Sequence, residues 1–472
     1  MSLIASSHTT LVLGLGATGL SVARFLQRQG RAFAVADSRS VPPNLEAFCA
    51  EFPNIPPQLG PLQGEFLSQF SQIILSPGIA REEPAVAEAI AKGVLVIGDI
   101  DLFVQEAAQQ NAPVVAITGS NGKTTVTTLV GEMARACGLD VGVGGNLGVP
   151  ALDLLSPSRP LYVLELSSFQ LESTRKLGAA VACILNLSDD HLDRYGAMPA
   201  YHRAKQRIFF GAKQLVANKD DALTQAPLAE GVRCVQFGLA APDLKDYGLL
   251  QEGADYFLAK GLTPLLNTRE LKIRGRHNWA NALAALALGE AVGLERAVML
   301  HTLRTFNGLP HRCEFVGSKD GVEYFNDSKA TNVGATLAAI AGMASRPQQL
   351  ILILGGDGKG ADFAPLVQAC RGPQAVKGQE AAKGQEGAKG QEAGGPVKAV
   401  VTLGRDGPAI AQLLRPFLPV EEASSLDDVV QRAARLATAG DIVLLSPACA
   451  SLDMFKSYEV RGAAFAACVA HL

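Results

Sequence analysis

The sequence is poor in aromatic residues, in net charge and in long apolar runs. Aromatic residues make up 6% of the 472 residues and charged residues 18%, against 48% hydrophobic residues. The formal net charge is -3, so a nucleic-acid partner has no electrostatic support. No apolar run approaches the roughly 18 residues that a membrane span requires. We therefore expect a globular protein that neither inserts into a membrane nor binds nucleic acid.

The cysteine pattern and the start of the chain indicate the cellular location. The eight cysteines are scattered and form no CxxC pair, which indicates neither a zinc site nor a disulfide framework. The start of the chain, Met1–Thr10, has no basic residue ahead of an apolar run and does not resemble a signal peptide. Reduced thiols and a cytoplasmic location are the expectation.

Short apolar runs rich in β-branched residues recur along the chain, each followed by a polar or glycine-rich loop and then a helical pattern. Continuous apolar runs are typical of strands buried on both faces, and hence of parallel sheets flanked by helices. The predicted fold class is therefore α/β, with ligands bound beyond the carboxyl ends of the strands. The predicted strands are Thr10–Leu13, Ala32–Ala36, Ile73–Leu75, Val114–Ile117, Tyr162–Leu164, Val181–Leu185, Leu350–Leu354, Ala399–Leu403 and Ile442–Leu445.

The length suggests about three domains. One boundary is predicted near Gly98, where the first series of strands and helices ends, and another near Gly308, in a turn-rich segment. The expected domains are residues 1–98, 99–308 and 309–472. The last contains a low-complexity insert, 372–397, in which the tetrapeptide KGQE begins at Lys377, Lys383 and Lys389. It has no apolar face, so we expect a solvated surface loop or a frayed helix.

A glycine-rich loop follows the predicted strand Val114–Ile117. Backbone amides in such a loop, together with the N-terminus of the next helix, hold phosphate oxygens. Lys123 would reach the β- and γ-phosphates and Thr124 would hold Mg²⁺. The alternative is an ordinary glycine turn, but the strand–loop–helix context favours phosphate binding. The residues of the loop are Gly119, Ser120, Asn121, Gly122, Lys123, Thr124 and Thr125.

Three further residues are candidates for the same site. Glu165 ends the next strong strand, where a carboxylate can reach the metal of a phosphate loop, although it could equally cap the following helix. His191 follows another strand in an acidic loop, but a lone histidine is usually structural or on the surface. Lys205, from spacing alone, would be a solvated helix lysine or half of a simple ion pair.

The segment GLGATG, from Gly14 to Gly19, with Asp37 closing the next predicted strand, matches the dinucleotide-binding fingerprint. The match favours a Rossmann-like fold but not a particular ligand, because the glycines only allow close approach to a pyrophosphate. NAD and a UDP-sugar both carry that group. An NAD-dependent dehydrogenase is therefore one alternative.

Taken together, the loops resemble those of the Mur ligases over nearly the whole chain. The segments that carry the resemblance occur in this order: GSNGKTTVTTLVGEMA, GVGGNLG, YVLELSSFQLE, ILNLSDDHLDRYG, RGRHNWANALAALAL, GLPHRCE, NDSKATN, LGGDGKGADF and LSPACASLDMFKSYEVRG. The last segment resembles the family members that attach D-glutamate to UDP-N-acetylmuramoyl-L-alanine. The chain also lacks the DNPR-type motif of the members that attach a diamino acid. The resemblance implies a Rossmann-like UDP-sugar domain, a central P-loop ATPase domain and a Rossmann-like amino-acid-binding domain.

The resemblance also implies roles for individual residues. Those expected to bind the UDP-sugar are Ala17, Thr18, Asp37, Ser38, Arg39, Ser76, Gly78, Asn146, Ser167, Gln170 and His191. Besides the phosphate loop, those expected to bind ATP are Asn278 at the adenine, Arg312 at the phosphates and Asp327 at the ribose, with Lys329 near the transferred phosphoryl group. Those expected to bind D-glutamate are Thr331, Lys359, Ser451 and Tyr458, the last standing where the family pattern has phenylalanine.

The implied chemistry is ATP-dependent amide formation through an acyl phosphate. One Mg²⁺ would use Thr124 and Glu165; a second would use His191 and a carbamylated Lys205. The implied partners are the two small-molecule substrates. Besides the dehydrogenase, two function classes compete with this one. A non-enzymatic nucleotide-sensing protein leaves NDSKATN and GGDGKG unexplained, and GLGATG weighs against a folylpolyglutamate-type ligase.

Overall fold

The computed structural model describes residues 10–146, 148–226, 231–343, 349–372 and 395–472. It contains three β-sheets flanked by helices. The three KGQE repeats predicted to form a surface loop lie outside the described residues. No helix of the described part of the chain is both long and apolar enough to cross a membrane.

The first sheet has five parallel strands in the order β3-β2-β1-β4-β5. Its strands are β1 (Thr10–Leu13), β2 (Ala34–Asp37), β3 (Gln58–Leu59), β4 (Gln72–Leu75) and β5 (Leu95–Ile97). Its helices are Ala17–Arg28, Leu45–Glu51, Gly64–Leu67 and Pro84–Ala91. The carboxyl ends of β1 and β4 therefore lie side by side, which brings the glycine-rich turn after β1 next to the Ser76 loop.

The second sheet has nine strands in the order β14-β13-β12-β11-β10-β9-β6-β8-β7. It is parallel from β7 to β12, and β12, β13 and β14 form an antiparallel ribbon at one edge. The strands are β6 (Val114–Thr118), β7 (Val141–Gly145), β8 (Leu161–Glu165), β9 (Val181–Ile184), β10 (Gln214–Asn218), β11 (Arg233–Phe237), β12 (Tyr247–Glu252), β13 (Asp255–Lys260) and β14 (Thr263–Asn267).

The helices that follow the strands of the second sheet, or lead into it, vary widely in length. They are Asp99–Gln109, Lys123–Ala136, Ser168–Ser173, Leu192–Tyr195, Met198–Gln206, Arg276–Ala291 and Arg296–Thr305. Short 3₁₀ turns occur at Ala151–Leu154, Arg207–Phe209, Ala222–Thr224 and Thr268–Glu270.

The third sheet has six strands in the order β15-β16-β20-β17-β18-β19, with only β15 antiparallel to its neighbour. Its strands are β15 (Glu314–Lys319), β16 (Val322–Asn326), β17 (Leu350–Leu354), β18 (Val397–Thr402), β19 (Val420–Glu422) and β20 (Ile442–Leu445). Its helices are Val333–Met343, Ala364–Arg371, Gly407–Leu414, Leu426–Leu436 and Tyr458–Ala470.

The predicted α/β class is confirmed, because the central strands are buried on both faces and pair in parallel. Each residue of β1, β6, β8, β9, β17 and β20 is buried. Alternate residues of a strand point to opposite faces, so helices must cover both sides of these sheets. The described chain forms two compact units, the first holding the first two sheets and the second the third sheet together with Ser188–Asp193 and Arg269–Ala280.

Candidate active site

A cavity of about 480 Å³ lies in the first compact unit, lined by loops that follow strands of the first and the second sheet. Ten of the eleven residues expected to bind the UDP-sugar line it; His191 is the exception. The ten are Ala17, Thr18, Asp37, Ser38, Arg39, Ser76, Gly78, Asn146, Ser167 and Gln170. The two chain segments that carry them are more than 60 residues apart, so folding alone brings them to one place.

The glycine-rich turn after β1 is held by close backbone contacts. Gly14 has φ +99°, in the region that favours glycine, and its carbonyl oxygen accepts a hydrogen bond of 2.8 Å from Ser76 Oγ. A Cβ atom on Gly19 would clash with that same oxygen. The fingerprint glycines therefore allow the helix Ala17–Arg28 to start directly at the cavity.

The carboxylate of Asp37, which is 1% exposed, is fully engaged by protein donors. It accepts hydrogen bonds from the Leu15 amide (2.6 Å), from the Arg39 amide (2.9 Å) and from Arg39 Nε and Nη2 (2.9 and 2.7 Å). Burial alone would raise the pKa of Asp37, but these hydrogen bonds outweigh it and hold the pKa below its usual value. A carboxylate has about four acceptor positions. These four hydrogen bonds occupy the carboxylate, which holds the Arg39 cation at the cavity.

Ser167 and Gln170 form a capping box at the start of the helix Ser168–Ser173. Ser167 Oγ accepts from the Gln170 amide (3.1 Å), and Gln170 Oε1 accepts from the Ser167 amide (3.0 Å). The alternative in which Glu165 caps this helix is wrong, because Ser167 occupies the cap. Both capping residues line the 480 Å³ cavity.

The loop after β6, which is predicted to bind phosphate, is held in shape by a glycine and by Asn186. Gly122, with φ +81°, is the N-cap of the helix Lys123–Ala136, and a Cβ there would lie 2.5 Å from Asn281 Oδ1. Asn186 fixes the loop from the neighbouring strand end. Its carbonyl oxygen accepts from the Ser120 amide (2.8 Å), and its side chain exchanges two hydrogen bonds with the Asn121 backbone. Lys123 Nζ donates to the carbonyl oxygens of Gly119 (2.8 Å) and Ser120 (2.9 Å).

Glu165 is the last residue of β8, which pairs with β6 in the same sheet. It is 3% exposed, and its Oε1 accepts a hydrogen bond of 2.7 Å from Asn146 Nδ2. Its Oε2 is buried and has no hydrogen-bond partner among the described residues. A buried carboxylate oxygen without a donor is costly unless a cation binds it. The donor type therefore fits a hard cation such as Mg²⁺.

Lys205 is 2% exposed, although it lies in the helix Met198–Gln206. Its Nζ donates to Thr118 Oγ1 (3.1 Å) and to the Gly119 carbonyl oxygen (2.9 Å) and lies 4.9 Å from the centre of the Tyr201 ring. The solvated-lysine alternative is therefore wrong. The lysine is directed at the loop that carries Lys123.

A second cavity, of about 370 Å³, lies in the second compact unit. Its lining includes His191, Thr331 and Lys359, which come from three separate loops. His191 and Lys359 both have positive φ, +54° and +52°. The Lys359 amide donates to Asp357 Oδ1 (3.0 Å), which stabilises the tight turn. Two of the four residues expected to bind D-glutamate thus share a cavity with the predicted metal ligand His191, whereas Ser451 and Tyr458 are not in its lining.

Asp327 directly follows β16, and Arg312 and Lys329 lie in loops next to it. Asp327 is 8% exposed and accepts from Ser446 Oγ (2.8 Å) and the Cys313 amide (3.2 Å). Burial raises its pKa to about 7, although these hydrogen bonds act in the opposite direction. Lys329 Nζ lies 3.7 Å from the centre of the Tyr458 ring, a close cation–π contact. Arg312 is half-buried, and Asn278 donates to the Arg274 carbonyl oxygen (2.7 Å).

Comparison with known proteins decides the family. Residues 8–98 match the N-terminal domain of MurD-like Mur ligases, 117–289 the Mur ligase middle domain, and 311–449 the Mur ligase glutamate ligase domain. The chain belongs to the Mur ligase family. It is 52% identical to the UDP-N-acetylmuramoylalanine--D-glutamate ligase of Pseudomonas aeruginosa, covering 100% of both chains, and 48% identical to that of Hahella chejuensis, covering 98% of both.

Solved structures agree with this Mur ligase in fold. The UDP-N-acetylmuramate-alanine ligase of Thermotoga maritima has a TM-score of 0.57 at 18% identity, covering 98% of this chain and 99% of that one. The pseudomurein peptide ligase type C of Methanothermus fervidus has a TM-score of 0.57 at 18% identity, covering 93% and 96%.

Some residues that build the sites of this Mur ligase were not predicted. Arg461 is 2% exposed, and burial lowers its pKa to about 10. Its Nη2 donates to the carbonyl oxygens of Ser328 (2.8 Å) and Cys449 (3.2 Å), which ties together the loops NDSKATN and SPACAS. The only signal for it was its place in the motif YEVRG. Among the described residues, no group of three or more His, Cys, Asp and Glu side chains could hold a metal ion.

Proposed function

We propose that this chain catalyses the ATP-dependent attachment of D-glutamate to UDP-N-acetylmuramoyl-L-alanine, a step of peptidoglycan synthesis. The observation that carries the proposal is the 480 Å³ cavity, whose lining includes ten residues expected to hold a UDP-sugar. The 52% identity to a ligase of that name, over the whole of both chains, supports the choice of substrates. The dehydrogenase alternative leaves the loop Gly119–Thr125, Glu165 and His191 unexplained.

The reaction requires activation of the acceptor carboxylate. An amine does not displace oxide from a carboxylate, because oxide is a very poor leaving group. Transfer of the γ-phosphoryl group of ATP to the carboxylate of the L-alanyl residue gives an acyl phosphate and ADP. The amine of D-glutamate then attacks the carbonyl carbon, the C–O bond to phosphate breaks, and the amine loses a proton as the amide forms.

Catalysis of phosphoryl transfer depends on positioning and on cations aimed at the phosphoryl oxygens. We assign this role to the loop Gly119–Thr125, with Lys123 at the transferred group. Lys123 starts a helix of 14 residues, whose N-terminus adds a partial positive charge. In the same proposal Lys329 acts near the phosphoryl group, Arg312 binds phosphates, Asp327 the ribose and Asn278 the adenine.

We assign two Mg²⁺ ions, one to Thr124 and Glu165 and one to His191 and Lys205. When bound, they would neutralise charge on the phosphoryl oxygens. The unpartnered Oε2 of Glu165 supports the first assignment. An ammonium group has no lone pair for a metal, so Lys205 would have to be carbamylated by CO₂. The burial of Lys205 supports this, because a buried ammonium group is costly, whereas the charge of a carbamate would be neutralised by the metal.

The amino-acid substrate is assigned to Thr331, Lys359, Ser451 and Tyr458. Support comes from the 370 Å³ cavity, where the Lys359 cation is available to a carboxylate of glutamate. The replacement of the expected phenylalanine by Tyr458 keeps an aromatic ring, which packs on Lys329. The preference for the D-enantiomer is supported by the relatives alone.

The domain limits 1–98, 99–308 and 309–472 remain part of the proposal. They are supported by the position of the three sheets, which lie within residues 10–97, 114–267 and 314–445. A cytoplasmic site of action follows from the proposed substrates, since ATP and UDP-linked precursors are cytoplasmic metabolites.

The proposal is tested by measuring phosphate release from purified protein with ATP, Mg²⁺, UDP-N-acetylmuramoyl-L-alanine and a panel of amino acids. Release is expected only when the UDP-linked substrate and D-glutamate are both present. Equal activity with L-glutamate or a diamino acid would refute the specificity, and turnover of NAD(H) would revive the dehydrogenase alternative.

A further inference from the structure

Arg194 makes contacts with both sides of the UDP-sugar cavity, although it is not among the residues expected to bind a substrate. Its Nη1 donates to the Pro77 carbonyl oxygen (3.3 Å), in the loop after β4 of the first sheet. Its guanidinium carbon lies 4.5 Å from the centre of the Phe169 ring, in the helix after β8 of the second sheet. Pro77 and Phe169 both line the cavity. One side chain therefore connects a lining residue from each sheet.

The guanidinium is itself held in place. Arg194 Nη2 forms an ion pair of 3.0 Å with Glu172 Oε2, and the two side chains are only 16% and 14% exposed. The Tyr195 hydroxyl donates to the same Glu172 oxygen (3.2 Å), and its ring lies 6.0 Å from that of Phe169. Glu172 follows Phe169 by one turn of the helix Ser168–Ser173. The wall that contains Phe169 is therefore fixed by an ion pair, a hydrogen bond and ring packing.

A purely structural role does not account for this arrangement. Arg194 Nε is buried and has no hydrogen-bond partner among the described residues, and an unmade hydrogen bond of a buried donor costs stability. The guanidinium carbon instead lies over the Phe169 ring, while Nη1 reaches Pro77 and Nη2 reaches Glu172. Arg194 thereby links the Pro77 loop to Phe169, while its Nε is left without a hydrogen bond among the described residues.

We propose that Arg194 is a positioning residue for the UDP-linked substrate, which fixes the Pro77 loop relative to Phe169 so that the cavity is formed before the substrate arrives. The proposal rests on the proposed function, because it takes this cavity to be the UDP-sugar site. A ligand binds more tightly to a pre-formed cavity than to one that must become ordered on binding, because the cost of ordering the protein is not subtracted from the binding free energy. Arg194 should therefore act on substrate affinity and not on the chemical step.

Lysine is not an adequate substitute at this position. Its ammonium group can pair with Glu172, but it has no planar fork with which to reach the Pro77 carbonyl oxygen and cover the Phe169 ring at the same time. Arg194→Lys should therefore recover stability more completely than affinity. Recovery of stability without affinity separates positioning from a merely structural ion pair.

The test is direct binding by calorimetry of UDP-N-acetylmuramoyl-L-alanine and, separately, of ATP with Mg²⁺ to the full chain. For Arg194→Ala we expect the Kd of the UDP-linked substrate to rise about tenfold or more, with the Kd of ATP changed less than about twofold. Arg194→Lys should show a melting temperature near that of the wild type and a Kd that remains several-fold raised. In steady state the same variants should raise KM for the UDP-linked substrate and leave kcat largely unchanged.

Arg371→Ala is the matched control, because Arg371 also stacks on a phenylalanine, lying 4.8 Å from the Phe417 ring centre, and neither residue lines the cavity. It should leave both Kd values unchanged. Equal losses of affinity for ATP and for the UDP-linked substrate, or unchanged affinity in folded Arg194→Ala, would overturn the inference. If the wild type itself does not bind the UDP-linked substrate, the proposed function fails instead.

A double-mutant cycle keeps the inference testable if Arg194→Ala folds poorly. Phe169→Leu removes the ring over which the Arg194 guanidinium lies. The effects of Arg194→Lys and Phe169→Leu on the Kd of the UDP-linked substrate should therefore not be additive. Additive effects of Arg194→Lys and Phe169→Leu would show that the contact between the side chains does not matter for binding.

Discussion

Lys123 and Lys205 donate hydrogen bonds to one and the same backbone oxygen, the Gly119 carbonyl, at 2.8 and 2.9 Å. Two ammonium groups that share one acceptor repel each other, and the repulsion is strong where water is excluded. A carbamate on the more buried Lys205 would remove one of the two cations and with it that repulsion. The contact therefore gives a physical reason why the lysine of this helix would be the modified one.

The first prediction is that Lys205→Ala is nearly inactive and that acetate partly restores its activity. The substitution removes the proposed carbamate oxygens, and a small carboxylate added to the solution can supply oxygen ligands at the vacated position. The measurement is phosphate release as a function of acetate concentration, with chloride at equal ionic strength as the control. Near-normal activity of Lys205→Ala would exclude a metal role, and an inactive variant without rescue would count against the carbamate.

The second prediction is that Lys123→Ala lowers kcat by at least about 10²- to 10³-fold while the fold is retained, because a cation is lost at the transferred phosphoryl group. Lys123 is at the first position of its helix, where the helix dipole is positive and a positively charged side chain does not stabilise the helix. The melting temperature should therefore change little. Single-turnover ATP cleavage measures the effect, and a Lys123→Ala protein that cleaves ATP normally would remove the assignment of the phosphate loop.

The third prediction concerns Glu165, whose unpartnered Oε2 is proposed to bind Mg²⁺. Glu165→Gln keeps an oxygen that can accept from Asn146 but replaces a negative ligand with a neutral amide. We expect a strongly reduced kcat and a higher Mg²⁺ concentration for half-maximal activity, with an unchanged or slightly raised melting temperature in the absence of Mg²⁺. Asp153→Asn, a carboxylate of the Ala151–Leu154 turn, serves as the control. An unaltered Mg²⁺ dependence of Glu165→Gln would contradict the assignment.

The sequence predicted the parallel core of the fold because the buried strands are continuous apolar runs. β1, β17 and β20 begin and end where the sequence pattern places them. The ribbon of β12, β13 and β14 was missed, since its strands combine buried residues with partly or fully exposed ones, and β12 and β13 carry charged residues at their ends, as in DYFLAK. Whether such a segment forms a strand depends more on the strands beside it than on the propensity of its own residues.

The candidate site was predictable where a residue acts through its own loop and not where it acts through distant contacts. Ten residues that line the 480 Å³ cavity were expected from the resemblance to the Mur ligases. The burial of Lys205 was not, because its helix is polar around MPAYHRAKQ and its partners lie about 86 residues earlier. Arg194 gave no signal either, since Pro77 is 117 residues away in the chain. Long-range contacts of this kind leave no local pattern to detect.

The last prediction is a pH dependence of stability that originates at Asp327. Burial raises the pKa of this carboxyl to about 7, whereas in the unfolded chain it is near 3.8. Between about pH 4 and pH 7 the folded state therefore binds more protons than the unfolded state, and the contribution of Asp327 to stability is lost as the pH rises through this window. The slope from one group cannot exceed about 1.4 kcal/mol per pH unit. Asp327→Asn cannot ionise, and its amide oxygen can still accept from the Cys313 amide.

Urea unfolding of the wild type and of Asp327→Asn at pH 5, 6, 7 and 8 should show a free-energy difference that moves in favour of the asparagine variant as the pH rises, and that levels off above pH 7. The slope that remains in the variant combines two opposed groups, because burial raises the pKa of Asp99 to about 6 and lowers the pKa of His277 to about 4. Asp99→Asn in the Asp327→Asn background should remove the part of that slope by which stability falls as the pH rises. Parallel pH curves for the wild type and Asp327→Asn would show that Asp327 is already ionised throughout the range. The carboxyl at the end of β16 would then be stabilised by more than Ser446 and Cys313, and the half-buried Arg312 would be the first cation to test as its partner.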